Sequence, residues 1–239
     1  MSDQQIAVLI DYENVGLGSI QWLFDQISDI GRVVVKRAYG DWSTANSKKD
    51  RDKLLELGIE PIHLFHSVGS GKNSSDILLA IDAVELQLQS SVDTFVIVSA
   101  DSDFAPLISR LRATGKMVIG AGRQAAVATT LVRSCDRYFY LDHIDDREDI
   151  QDVEPTKRRR FPWSRQGDSL LARAVKSAMD EQGRAPGSKL LQTMQRLDPA
   201  FDFRALGYPT FSKYLEASTE AKVTRPRGRG DVTVELVGS

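Results

Sequence analysis

Hydrophobic positions along residues 5–140 alternate between two spacings. Six short apolar runs, IAVLI, RVVVKRAY, EPIHLF, TFVIVSA, KMVIGA and RYFYL, are rich in β-branched and aromatic residues and read as strands. IAVLI and the FVIV of the fourth run are unbroken by charge, the pattern of a strand covered on both faces. Between the runs lie helical periods at about residues 18–29, 48–57, 74–89, 103–114 and 123–134. Gly31, Gly58 and Gly115 each stand just before a strand, where glycine commonly ends a helix. Strands alternating with helices of this length predict right-handed crossovers and an α/β fold. The sheet is expected to be doubly wound and mostly parallel, with helices on both faces.

After about residue 141 the pattern fails. LDHIDDREDIQDVEP is acidic, TKRRRFPWSRQG turns abruptly basic, and neither has an apolar period. This stretch reads as a linker over 144–167, between an N-terminal domain at 1–143 and a C-terminal one at 168–239. In the latter, DSLLARAVKSAMDEQ, SKLLQTMQRLDP and FSKYLEAS form three helical stretches. AKVTRPRGRGDVTVELVG then gives two strand-like runs around a turn of glycine and arginine. Three helices followed by a hairpin predict a small winged-helix domain.

Composition adds three constraints. With 239 residues, 41% hydrophobic and 27% charged, the chain can bury a real core and is ordinary for a soluble protein. Its net charge of −2 hides an asymmetry: 16 basic and 11 acidic side chains from residue 151 onward, against 15 and 22 before it. An acidic half joined to a basic half suits a cation-binding unit beside a polyanion-binding one, although two ordinary solvated surfaces look the same. The lone cysteine, Cys135, excludes an internal disulfide framework and fits a reducing cytoplasm. MSDQQIAVLID has no basic segment ahead of its short apolar run, so no secretory signal is expected, and no run reaches the roughly 20 apolar residues of a membrane span.

The candidate chemistry lies on four aspartates. Asp11 ends the first apolar run, Asp76 opens the helix at 74–89, and Asp101 and Asp103 follow the fourth run. Ligands of open parallel sheets bind beyond the carboxyl ends of the strands, and carboxylates gathered there repel unless a proton or a cation is shared. Carboxylate oxygens are hard ligands suited to Mg²⁺ or Mn²⁺. The competing reading of each is structural. Asp11 as a helix cap is disfavoured because the next helix is placed after Gly16 or Gly18. Asp103 has the stronger capping alternative, so Asp101 is the better ligand. Asp82, six residues beyond Asp76, points roughly 120° away from it on a helix and is read as a buried structural or supporting residue. Asn14 and Ser99 are read with it as residues that hold the acids in place.

Other features stand beside these acids. Lys72 in VGSGKNSS lacks the following serine or threonine of a phosphate loop and reads either as a contact to a substrate phosphate or as a solvated loop lysine. Arg158, Arg159 and Arg160 in the linker, and Arg225, Arg227 and Arg229 in the hairpin, are candidate nucleic-acid contacts. His63 and His66 lack partner ligands for zinc, and Cys135 reads as an inert buried thiol. Tyr12 and Trp42 suit either base stacking or packing, with packing preferred for Trp42.

Taken together, IDYENVG, GKNSSDILLAIDA and VSADSDFAPLISRLRATGKMVIGAG resemble the NYN domain, a PIN-like ribonuclease family, over about residues 5–141. The tail, with LGYPTFSKYLEAS its most typical segment, resembles the LOTUS or OST-HTH domain, a winged-helix RNA-binding module. The resemblance implies metal-binding acids at Asp11, Asp76, Asp101 and Asp103, with Mg²⁺ or Mn²⁺ as cofactor. It implies hydrolysis of RNA, single-stranded by expectation, leaving a 5′-phosphate and a 3′-hydroxyl, and pairing into homodimers as PIN-like domains often do. One departure is Ala100, where the family more often has glycine; it removes no ligand. Two rival functions stand beside this one: a catalytically silent RNA-binding adaptor, and a phosphohydrolase acting on small nucleotides.

Overall fold

The computed structural model describes residues 4–43, 48–64, 74–143, 169–180, 182–225 and 230–237. The chain divides into two compact units, Met1–Asp146 and Arg147–Ser239.

In the first unit six strands form one sheet: β1 (Gln4–Asp11), β2 (Gly31–Gly40), β3 (Glu60–His63), β4 (Thr94–Val98), β5 (Met117–Gly122) and β6 (Arg137–Tyr140). All neighbouring pairs are parallel, in the order β3-β2-β1-β4-β5-β6. The connecting helices are α1 (Tyr12–Val15), α2 (Ile20–Ile27), α3 (Lys48–Leu57), α4 (Ser74–Gln89), α5 (Ala105–Ala113) and α6 (Thr129–Ser134). The central strands are apolar over Ile6–Ile10 of β1 and Phe95–Val98 of β4 because both faces are covered there. Ile6, Val8 and Ile10 of β1 pack with Ile20, Leu23 and Ile27 of α2. Ala7 and Leu9, equally buried, alternate to the opposite face, which α4 covers. The order grows outward from β1 in one direction and from β4 in the other, so the topological switch lies between β1 and β4. Dinucleotide-binding sheets share this order, but the turn after β1 here is Asp-Tyr-Glu-Asn-Val-Gly, without their glycine-rich fingerprint.

Three local features differ from the sequence reading. A one-turn helix, α1, begins directly after Asp11 and stops at Gly16, whose φ of +70° no β-branched residue would tolerate well. The helix expected over 123–134 starts only at Thr129, because a turn closed by Ala126 and Val127 N–H groups on the Arg123 carbonyl precedes it. The helix expected from 103 opens with a 3-10 turn, Ser102–Phe104, before α5.

The second unit has α7 (Leu170–Ala178), β7 (Ala185–Pro186), α8 (Gly187–Leu197), α9 (Phe211–Glu216) and the antiparallel strands β8 (Ala221–Thr224) and β9 (Thr233–Leu236). Strand β7, too short to show in the sequence pattern, adds to β9 and makes a three-stranded sheet. The core joins Leu171, Val175, Leu190, Met194, Leu215 and Val234 from helices and sheet alike. This is the small winged-helix domain expected from the pattern. Among the described residues no helix is long and apolar enough to cross a membrane.

Candidate active site

Strand alternation sets Asp11 on the face of β1 that carries Ala7 and Leu9, the face under α4. Its register neighbour on β2, Tyr39, faces the same way and donates its hydroxyl to Asp82 of α4 at 2.7 Å. Asp11 is only 2% exposed. Its Oδ2 accepts from Asn14 Nδ2 at 2.7 Å and from Ser99 Oγ at 2.8 Å, and its Oδ1 from the Asn14 N–H at 3.4 Å. Burial pushes this carboxyl upward in pKa, and the bonds from Asn14 and Ser99 pull it partly back. The helix-cap role discounted from the sequence is therefore present. Asp11 caps α1, a single turn that carries no apolar period for a sequence pattern to detect.

Across the switch point, Ser99 and Asp101 follow β4. The Ser99 hydroxyl is buried, donates to Asp11, and accepts the Asp101 N–H at 3.1 Å. One small side chain thus ties the end of β1 to the loop after β4. Asp101 accepts the Asp103 N–H at 2.9 Å and caps the 3-10 turn. The cap expected at Asp103 belongs to Asp101, because that turn starts the helix earlier than its apolar period does. Gly122, at the end of β5, has no room for a side chain. A Cβ there would lie 2.6 Å from the Tyr138 hydroxyl and 2.8 Å from the Ser99 carbonyl.

Asp76 stands in the first turn of α4. Lost solvation, and then the negative charges of Asp11, Asp101, Glu13 and Asp103, raise its carboxyl to about 6. That one group feels all three other predicted acids, which are far apart in sequence. Glu13, which sequence reasoning had not singled out, joins them. Beside Asp76, Ser75 is buried and its Oγ has no hydrogen-bond partner among the described residues.

Among the described residues no three acidic, histidine or cysteine side chains form a ready ligand cage. The acids share a field rather than a closed chelate. A hard divalent cation fits that arrangement. Every donor is a carboxylate oxygen, and Mg²⁺ is usually held by one or two carboxylates, several waters and substrate phosphates. A cation would also offset the lost solvation and the repulsion that together hold Asp76 high.

The remaining candidates fall elsewhere. Asp82 lies away from the acids, bonded to Tyr39 and, at 3.0 Å, to Arg37, which also meets Glu60. Tyr12 and Trp42 stack on each other at 4.2 Å, with the Tyr12 hydroxyl on Asp50 and Trp42 Nε1 on the Ile62 carbonyl. Both are engaged in packing. His63 Nδ1 accepts the Trp42 N–H, and burial pushes the Cys135 thiol up to about 12. Arg225 is exposed and donates to Glu216 at 2.9 Å. Lys72, Arg158, Arg159, Arg160, Arg227 and Arg229 lie outside the described residues. Sequence reasoning passed over Arg123, which directly follows β5 at the carboxyl edge, is exposed, and makes no ion pair among the described residues. The available signal was a basic residue one position past a strand end.

Residues 5–142, more than half of the chain, match the NYN domain. The chain belongs to the NYN domain family. This family lies within the PIN-like nuclease superfamily, and residues 162–233 match the OST-HTH/LOTUS domain, so both expected modules occur in the expected order. An uncharacterized protein of Methanocaldococcus jannaschii is 28% identical over 163 residues, 66% of this chain. The chain spans 64% of the length of that relative. A crystal structure of a protein of unknown function from Vibrio parahaemolyticus is similar with a TM-score of 0.49 and 26% identity. The likeness covers 58% of this chain and 92% of that one.

Proposed function

We propose that this NYN protein is a divalent-cation-dependent ribonuclease whose LOTUS domain supplies RNA affinity. The observation that carries the reading is the Ser99 hydroxyl, which joins the buried Asp11 of β1 to the Asp101 loop after β4 at the switch point of the sheet, with Asp76 near enough to feel both charges. Asp11, Asp76 and Asp101 would hold the cation, with Asp103 assisting at the rim. A bound Mg²⁺ or Mn²⁺ would supply an acidified water and a polarised phosphate. Asn14 and Ser99 fix the Asp11 carboxylate, so its orientation is set before substrate arrives. Arg123 offers a guanidinium to the phosphate from the neighbouring strand end. Unpaired RNA is the substrate most accessible to such an edge.

The test is to incubate the full chain and Mn²⁺ with labelled single-stranded RNA, with mononucleotides and with DNA. Shortened RNA carrying 5′-phosphates is expected, with mononucleotides untouched. Phosphate release from mononucleotides would favour the phosphohydrolase reading, and intact RNA the adaptor. Ser99→Ala is expected to lower single-turnover cleavage about 10- to 100-fold, the usual cost of a lost supporting contact, with RNA affinity unchanged. Reversing Arg225, Arg227 and Arg229 to glutamate is expected to weaken RNA binding. The dependence of log affinity on log salt should also flatten by about 0.7 per lost phosphate contact. A titration at several salt concentrations reads both. The Arg225–Glu216 pair is exposed and therefore weak, so it does not block exchange for a phosphate.

A further inference from the structure

From the acids, a groove of about 400 Å³ runs between α4 and α5. Asp76 and Asp103 stand at one end, at the starts of the two helical segments. Ile77, Ala80 and Leu107 wall it, and Arg110 lies seven residues beyond Asp103, roughly 10 Å along a helix. Ile77 is 60% exposed, an apolar side chain facing water beside two carboxylates. Arg110 is exposed and makes no ion pair among the described residues. The volume is that of a small-ligand cleft, which buries a flat apolar body and fixes it with a few polar groups. An exposed guanidinium at the end of such a cleft matches a phosphate, and the acidic end repels one that carries no cation.

We infer that the α4–α5 groove is a nucleotide subsite of the RNA strand, taking the residue next to the bond that is cut. Its base and ribose lie against Ile77, Ala80 and Leu107, and its outer phosphate meets Arg110. The inference rests on the ribonuclease reading for the bond at its acidic end. It adds what no motif in the sequence assigns: a defined track for the substrate down one helix pair. Arg110 is a binding residue here, remote from the reacting atoms.

The experiment measures binding of a short fluorescein-labelled single-stranded RNA to the full chain by anisotropy, with Asp11→Asn as the parent so that no cleavage intervenes. Adding Arg110→Ala is expected to weaken affinity about tenfold, the lower range for a charge-assisted contact. Neutral methylphosphonate linkages are then placed one at a time along the RNA. A single position is expected to cost the parent about tenfold and to cost the Arg110→Ala variant nothing further. Ile77→Asp, a change at an exposed position, is expected to weaken binding while keeping the parent's response to that linkage. An Arg110→Ala variant within about twofold of the parent, or one as sensitive as the parent at every linkage, overturns the subsite. The two readings separate cleanly. RNA cut by the wild type with Arg110 silent removes the subsite alone, and a positive scan in a chain that cuts nothing removes hydrolysis alone.

Discussion

Asp11→Asn is expected to lower RNA cleavage at least about a thousandfold, the loss of several kcal/mol of transition-state stabilisation. RNA affinity and melting temperature are expected to stay near those of the wild type. The reason lies in the bonds around the group. Asparagine keeps the size of Asp11, and its one amide oxygen still accepts from Asn14 Nδ2 and Ser99 Oγ, at the loss of the long 3.4 Å bond from the Asn14 N–H. Beyond that one bond it removes the negative charge, which burial already disfavours in the folded protein. A buried carboxylate kept at such a cost, with two side chains arranged to stabilise it, belongs to chemistry rather than to folding. Asp101→Asn should behave alike, since its cap of the 3-10 turn uses a single oxygen that an amide can supply. Single-turnover rates beside calorimetric melting check both variants. A fall in melting temperature matching the fall in rate would return Asp11 to a structural role.

Asp76 gives the second large effect, on stability. Its folded carboxyl lies at about 6 against an ordinary value of 3.8. Folding therefore favours the protonated form. Stability is greatest below the ordinary value, is lost as pH rises toward 6, and stays low above it. Full conversion gives about 3 kcal/mol, and solvent screening of a partly exposed group brings it to roughly 1–2 kcal/mol. Asp76→Asn is expected to be more stable than the wild type by that amount near pH 8 without divalent ions, and equal to it near pH 4. Added Mn²⁺ is expected to raise the melting temperature of the wild type by a few degrees and that of the variant by less. Chemical denaturation across pH, with and without the ion, reads both. A variant no more stable than the wild type near pH 8 would mean that the acids do not share a field.

Much of this is readable from the chain alone. IAVLI and TFVIV announce β1 and β4 because strands covered on both faces need no polar break. The helical periods at 48–57 and 74–89 coincide with α3 and α4. That the acids stand at strand and helix ends was also legible, because each terminates or opens an apolar run. What the pattern could not supply is which ends are neighbours. β1 and β4 pair across more than 80 residues, and only that pairing brings the Ser99 hydroxyl onto Asp11. Local hydrogen-bond features escaped for a different reason. α1 and the 3-10 turn at Ser102–Phe104 are capped single turns, too short to carry a period. Arg110 looks like any solvated arginine on an amphipathic helix until α4 lies beside it. Asp82 was half legible: its hydrogen-bonded setting was expected, but its partners Tyr39 and Arg37 come from a strand over 40 residues away.

The most direct measurement is cleavage of labelled single-stranded RNA by the purified full chain in Mn²⁺, in excess chelator, and with Asp11→Asn or Asp101→Asn in Mn²⁺. Cutting by the wild type with the ion, and by neither the chelated protein nor either variant, is the expected result. Cutting that persists in chelator and in both variants would contradict it, as would a wild type that binds the RNA and leaves it whole.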